Sequence, residues 1–268
     1  MLCKRCDEYA APLGSELCRR CEAADLHPAP GLPGSAGLPV RTPHGDAWLR
    51  SPVGLGRAVA VLLGAVIAAD LFAVWADFTL LDALGPSPYG VYEAAFHEAE
   101  RADWLNGIAG SAQMASYVAT AVVFLIWFHR VRVNAEVFEP FGHQKKRGWA
   151  IGGWFVPFAN LWFPRRIAID TWDASSPWEK PRSHALVNAW WTLWLINQIS
   201  SQVATRGYRG AETPEEIVAA TERMLFSDAF DIVSAVFAIL FVLVLTRMQD
   251  AKAKSGPRAP EGEAVSAV

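Results

Sequence analysis

The sequence predicts an all-α membrane protein: four transmembrane helices plus a re-entrant or interfacial broken helix, preceded by a small four-cysteine unit on a flexible tether. Three observations carry this. The 268-residue chain is 52% hydrophobic and only 19% charged, where soluble domains run near ~25% charged. Its apolar residues gather into runs long enough to cross hydrocarbon, which takes roughly 20 residues of helix. Lysine and arginine cluster between those runs in a pattern that assigns loops to sides. The predicted organisation is a four-cysteine unit (1–23), a Pro/Gly-rich linker (24–52), a multi-pass membrane domain (53–247) and a disordered tail (248–268).

All four cysteines fall in the first 21 residues, Cys3 and Cys6 around Lys4-Arg5, Cys18 and Cys21 around Arg19-Arg20. The spacing is C-x2-C-x11-C-x2-C. Each knuckle sets two thiolates on one face of a tight turn, and two knuckles complete a tetrahedral site with Zn–S bonds of ~2.3 Å. The flanking basic residues offset the negative charge of a zinc tetrathiolate. So small a unit has almost no core, so metal binding would supply most of its folding energy. Two disulfides would need an oxidising compartment, and a redox Cys-x-x-Cys would need a surrounding βαβ unit. Structural Zn2+ on Cys3, Cys6, Cys18 and Cys21 is the expectation. Residues 24–52 hold six prolines and no periodicity, which reads as a tether.

Four runs are long enough to span: about 54–79, with Asp70 and Asp77; 104–128, without a charge; 185–205, also without a charge; and 226–246, with Asp228 and Asp231 near its start. No apolar leader precedes them, so the first is expected to insert uncleaved with the N-terminus inside. A fifth stretch, 149–164, has only 17 residues between Arg147 and Arg165 and contains Gly152, Gly153 and Pro157. Length does not decide whether it crosses; charge does. Arg130, Arg132, Lys145, Lys146 and Arg147 precede it, Arg165, Arg166, Lys180 and Arg182 follow it, and Arg247, Lys252, Lys254 and Arg258 flank the last run. Basic loops stay cytoplasmic, so all three belong inside. The 77–103 and 206–224 loops are mainly acidic and belong outside. The rule is obeyed throughout if 149–164 enters and leaves on the cytoplasmic side; a five-helix reading sends two basic segments outward. The expected location is the plasma membrane, multi-pass, with both termini cytoplasmic. Thr213-Pro214-Glu215-Glu216 reads as a capping box opening an outer helix, and 90–102 as an outer surface helix.

Within the spans, Asn106, Gln113, Tyr117 and Thr120 share one stripe, and Asn188, Thr192 and Gln202 another, with Gln198 adjacent. Asp70 and Asp77 lie on one face. Ionisable groups at membrane depth are costly and mark sites by default; amides and threonines there mostly bond to neighbouring helices. Asp70 is the deepest carboxylate and the leading candidate. The net charge of −3 argues against a nucleic-acid partner. No P-loop, Gly-x-Ser-x-Gly or Rossmann fingerprint occurs, and Phe96–Glu100 lacks the second histidine of a zinc-protease motif. No catalytic residue is assigned.

The stretch from Arg132 to Ser175 carries Asn134, Gly148-Trp149, Gly153-Trp154-Phe155, Pro157, Asn160-Leu161, Pro164 and Trp172. In these it resembles the membrane family known as domain of unknown function 4328, common in actinobacteria. The resemblance implies a bundle from about residue 55 to 247 and marks Asn134, Trp154, Pro157, Asn160 and Pro164 as residues of interest, without implying an activity. With Asp70, Gln113 and Asn188 they complete the candidate set. Two functions follow: a membrane-anchored adaptor or sensor whose zinc ribbon binds a cytoplasmic protein, which needs the fewest assumptions, or a small transporter or channel with the broken helix and Asp70 lining its path.

Overall fold

A computed structural model describes residues 40–84, 92–178 and 181–256. The four cysteines, linker residues 24–39 and tail residues 257–268 lie outside the described residues. The rest is mostly helical. A hairpin pairs β1 (Val40–Thr42) with β2 (Gly45–Ala47), and the helices are α1 (Val53–Leu84), α2 (Tyr92–Phe138), α3 (Trp149–Gly152), α4 (Phe163–Ser175), α5 (Ala185–Arg209) and α6 (Pro214–Ser255).

The hairpin departs from the expectation of a continuous tether through residue 52. Its strands pair Val40 with Ala47 and Thr42 with Gly45, and the tight turn uses Gly45 at φ 106°. Three-residue strands are too short to stand alone. The anchor is tertiary: Arg147 donates to the carbonyls of Gly45 and Asp46, each at 2.7 Å.

Among the described residues, α1, α2 and α6 contain the three helices long and apolar enough to cross a membrane: Val53–Asp82, Glu100–Phe138 and Glu215–Ser255. The predicted third span forms α5, 25 residues long. Asn188, Asn197, Gln198, Gln202 and three tryptophans make it less apolar than the others. The outer helices expected at 90–102 and from Thr213 are continuous with α2 and α6. The capping box forms as expected, with Glu216 N donating to Thr213 Oγ1 and Thr213 N to Glu216 Oε2. At its other end α6 runs on to Ser255, past the predicted start of a disordered tail, because Gln249 and Lys252 are buried. Lys252 donates to the carbonyls of Ala174 and Ser176, both at 2.8 Å, placing a cation at the negative end of α4.

α1 packs along α2 and α6, and α6 along α5, giving the lateral order α2–α1–α6–α5. α2 and α5 do not pack along each other among the described residues, which leaves a cleft between them. At Gly56 a Cβ would collide with the Thr246 side chain, so α1 and α6 approach closely there. The α6–α5 register is antiparallel: Asn197 meets Asp231, Ser201 meets Ser227, and the Leu193 carbonyl meets Ser234. The start of α1, the end of α2, the start of α5 and the end of α6 therefore gather at one end. Asn134 joins three of these parts, bonding the Arg50 backbone through both amide atoms (2.9 and 2.7 Å) and Gln249 Oε1 at 3.1 Å. Residues 139–184 leave α2 and return to α5 at this same end.

The largest core cluster lies here too and is aromatic: Trp127, Phe128, Trp172, Trp190, Trp191 and Phe241 are all buried. The other end is built from small residues, with Ala73 and Ala76 against Ala109. The helices' outer faces expose large apolar side chains such as Val61, Phe78, Met114, Ile199 and Phe226, a surface far larger than a water-soluble monomer tolerates.

Candidate functional site

Five polar residues from four helices meet midway along the bundle. Gln113 on α2 splits its side-chain amide between two carboxylates: Nε2 donates to Asp70 Oδ1 on α1 at 3.0 Å and to Asp228 Oδ1 on α6 at 3.1 Å. One turn along α6, Asp231 accepts from Asn197 Nδ2 on α5 at 2.5 Å. Asp77 continues the Asp70 face of α1 and is 7% exposed. The cluster is incompletely satisfied. Asp70 Oδ2, Asp77 Oδ2 and Asn197 Oδ1 are buried without a hydrogen-bond partner. No ion pair joins these carboxylates to a basic side chain among the described residues. A buried carboxylate without a counter-charge is costly, a cost that uptake of a proton or a cation would relieve.

A cavity of about 270 Å³ adjoins the cluster in the cleft between α2 and α5. Asp231 and Asn197 line it toward the middle of the bundle, Trp154 and Phe155 toward the end where the basic loops lie. Trp154 comes from the broken segment. After α3, Pro157–Ala159 makes a turn in which Ala159 N bonds the Pro157 carbonyl at 2.8 Å and Phe158 takes φ 63°, a strained conformation for a residue with a Cβ. A 3₁₀ turn (Ala159–Leu161) then leads to α4, with Pro164 near its start. Trp154 is thereby placed among Phe124, Phe128, Trp190, Trp191 and Trp194, with ring centroids 5.3 to 6.5 Å away. Phe155, Phe158 and Trp162 project outward, 65–78% exposed.

The sequence candidates thus separate. Asp70 and Gln113 meet in the cluster, and Trp154 caps the adjoining cavity. Pro157 and Pro164 shape the turn, while Asn160 makes only a backbone bond, to Val156. Asn134 is a tie between chain segments. Asn188 lies near the start of α5 and accepts from Arg165 at 2.7 Å, and the Asn188–Thr192–Gln202 stripe faces largely outward. The residue missed on α5 is Asn197. Its signal was its place in the buried row Val187, Trp190, Trp191 and Ala204; of the α5 amides singled out from the sequence, Gln198 lines the adjoining cavity, while Asn188 and Gln202 do not. Asp228 and Asp231 read as residues near a helix start, but α6 begins at Pro214 and carries them to mid-bundle.

A second polar centre closes the end where residues 139–184 pack. Glu136, fully buried, receives Arg132 at 2.7 Å and Arg147 at 2.6 Å, and Thr42 donates to it at 2.9 Å. Beside it His143 is 7% exposed. Burial and the nearby Arg132 push its imidazole down to about 4 from an ordinary 6.5; His44 adds to this, while Glu136 and the Ala135 carbonyl oppose it without completing a hydrogen bond. Burial also raises the carboxyl of Asp170, which accepts from Gln144 N at 3.2 Å. The folded state therefore prefers neutral His143. Between about pH 6.5 and 4 the unfolded chain binds a proton that the folded chain does not, so the stability from this group, complete above 6.5, is lost as pH falls through that window. Thermal unfolding in micelles from pH 8 to pH 4 is expected to show a midpoint falling over this range, with a shallower slope in His143→Gln.

The family model for a domain of unknown function (DUF4328) matches residues 92–247. The match begins at α2, so α1, which carries Asp70, lies outside it. No curated protein and no solved structure matches the chain. With more than half of its residues inside that match, including Gln113, Asn197, Asp228, Asp231 and the broken segment, the chain belongs to the DUF4328 family.

Proposed function

We propose that the protein is a multi-pass carrier or channel of the plasma membrane, with four crossing helices and both termini in the cytoplasm, in which the Asp70–Gln113–Asp228 cluster binds and passes a small cation or a proton. The observation that carries this is the Gln113 amide divided between two carboxylates while Asp70 Oδ2 stays buried and unpartnered. In surroundings of low dielectric, paired carboxylates hold their charge only beside a counter-charge. Asp77, farther along the same face of α1, is a second station toward the acidic loops. A broken helix beside the cluster fits a transport path. The packing of α5 along α6 supports its crossing as α6 does, and an even number of crossings keeps both basic termini on one side.

The test is flux into liposomes containing the full chain, followed with a trapped pH dye and with radioactive sodium. Wild-type protein is expected to conduct one of these ions faster than empty liposomes. Asp70→Asn is expected to slow it at least tenfold, and Asp82→Asn, exposed at the end of α1, to leave it unchanged. Equal flux in wild type and Asp70→Asn, or none above empty liposomes, would overturn the reading.

A second reading, a membrane-anchored adaptor or sensor with a zinc ribbon, gains support from the clamped hairpin. Arg147 ties the segment leading from the cysteines to the buried Glu136, so a partner pulling on the ribbon would load the end of the bundle. Elemental analysis of the full chain purified under reducing conditions is expected to give one zinc per chain, lost when Cys3, Cys6, Cys18 and Cys21 are all replaced by serine. Absence of zinc in the wild type would remove the ribbon.

A further inference from the structure

The geometry points to a second ligand in the cleft: an amphipathic organic amine, seated in the cavity between α2 and α5 with its protonated nitrogen on Asp231 and Asn197. This site adjoins the cation cluster proposed above and is argued from its own lining.

The cavity is divided chemically. Its wall is mostly apolar and aromatic, with Phe124, Trp154, Phe155, Trp190 and Trp194 among its lining residues. Its one carboxylate is Asp231, and no lysine or arginine lines it. Asp231 uses one oxygen to accept from Asn197 Nδ2. The Asn197 carbonyl oxygen, on a residue 5% exposed, has no partner. Asp231 and Asn197 thus both line the cavity, the first as its one carboxylate and the second with an acceptor left unused.

The Asp231 carboxylate selects a cation bearing N–H groups, which can both neutralise it and donate to it. A quaternary ammonium could satisfy only the charge, and a carboxylate or phosphate would face Asp231 with like charge. Aromatic faces around the remainder favour a cation that carries a hydrophobic body, since ring faces attract cations and the apolar wall rewards burial. About 270 Å³ accommodates an aryl-alkyl chain. A membrane lipid headgroup does not fit the position, because Asn197 lies midway along α5 (Ala185–Arg209), far from either helix end. Access is lateral: Tyr117 and Phe155 line the cavity and are themselves 42% and 70% exposed, so a membrane-dissolved amine can enter through the gap between α2 and α5.

The experiment uses the full chain in phosphatidylglycerol nanodiscs, which contain no ammonium lipid. Binding of 4-phenylbutylamine is measured by tryptophan fluorescence and calorimetry against empty discs. 4-Phenylbutan-1-ol and 4-phenylbutyrate serve as neutral and anionic counterparts of similar shape. Saturable binding of the amine, at least tenfold tighter than either counterpart, is expected. Asp231→Asn should weaken the amine at least tenfold and leave the alcohol unchanged, and Trp194→Leu should weaken amine and alcohol alike. The wild-type comparison does not depend on any variant folding. If the alcohol binds wild-type protein as tightly as the amine, or folded Asp231→Asn retains full amine affinity, the inference fails. Asp70→Asn separates the two proposals: it should slow ion flux at least tenfold while holding amine affinity within twofold. Amine binding without wild-type flux would sink the proposed transport and keep the amine site; flux without amine binding would do the reverse.

Discussion

Replacing Glu136 with alanine is expected to destabilise the bundle by about 3–5 kcal/mol, the cost of breaking a buried ion pair by removing one partner. Glu136 is fully buried and serves two guanidinium groups at once, Arg132 on one oxygen and Arg147 on the other. Arg132 is itself 1% exposed and would keep only the Lys145 carbonyl, at 2.6 Å. Arg147 would lose the carboxylate that aims it at the hairpin, so the same change should release Val40–Ala47. Denaturant unfolding in micelles measures the first effect, and protease cleavage near His44 the second. Glu136→Gln, which keeps the shape and one acceptor, should cost less than alanine. A double change that replaces both Glu136 and Arg132 with apolar residues should recover part of the loss, because no unpaired charge then remains. A loss under about 1 kcal/mol for Glu136→Ala would put this pair in the class of surface salt bridges and contradict its burial.

Trp154→Ala should cost about 3 kcal/mol, near the low end for removing a large buried aromatic, since its ring is only partly buried. The indole is the main inward anchor of the broken segment, whose Phe155, Phe158 and Trp162 all point outward. Its five ring neighbours come from α2 and α5, two helices that otherwise meet through a few side chains such as Phe124 and Trp190. Loss of the ring should widen the cleft at one end and speed amide exchange through residues 152–162 by an order of magnitude or more, while leaving exchange in the α1–α6 contact unchanged. Trp154→Phe should retain most of the protection. Uniform acceleration across the bundle would mean that Trp154 supports the whole core instead of this one element.

Much of the architecture was legible because it depends on local composition. Apolar runs, the Thr213 capping box and the charge pattern around 149–164 each act through near neighbours in sequence. The charge pattern was the most informative: placing basic residues on both sides of that stretch implied a return to the same end, and the chain does return there, from Phe138 to Ala185. The clamped hairpin was not legible, since its stability comes from Arg147, a hundred residues away. Nor was the length of α6 past Gln249, where a polar, lysine-bearing segment stays helical because Lys252 caps the neighbouring α4.

The site divided the same way. Asp70 and Gln113 were identifiable one helix at a time, because a carboxylate or an amide in an apolar run is conspicuous wherever it points. Asn197 was not, because the Asn188–Thr192–Gln202 stripe was equally regular and faced outward.

By itself the sequence determined which segments are helical and apolar, and which polar residues are costly enough to need a reason. The tertiary structure alone decided which of those residues meet. Helical periodicity fixes the faces of each helix but not the rotation and register between helices; close packing sets these, through contacts such as Gly56 on Thr246 and Trp154 among the α2 and α5 aromatics, and with them set Gln113 reaches Asp70 and Asp228.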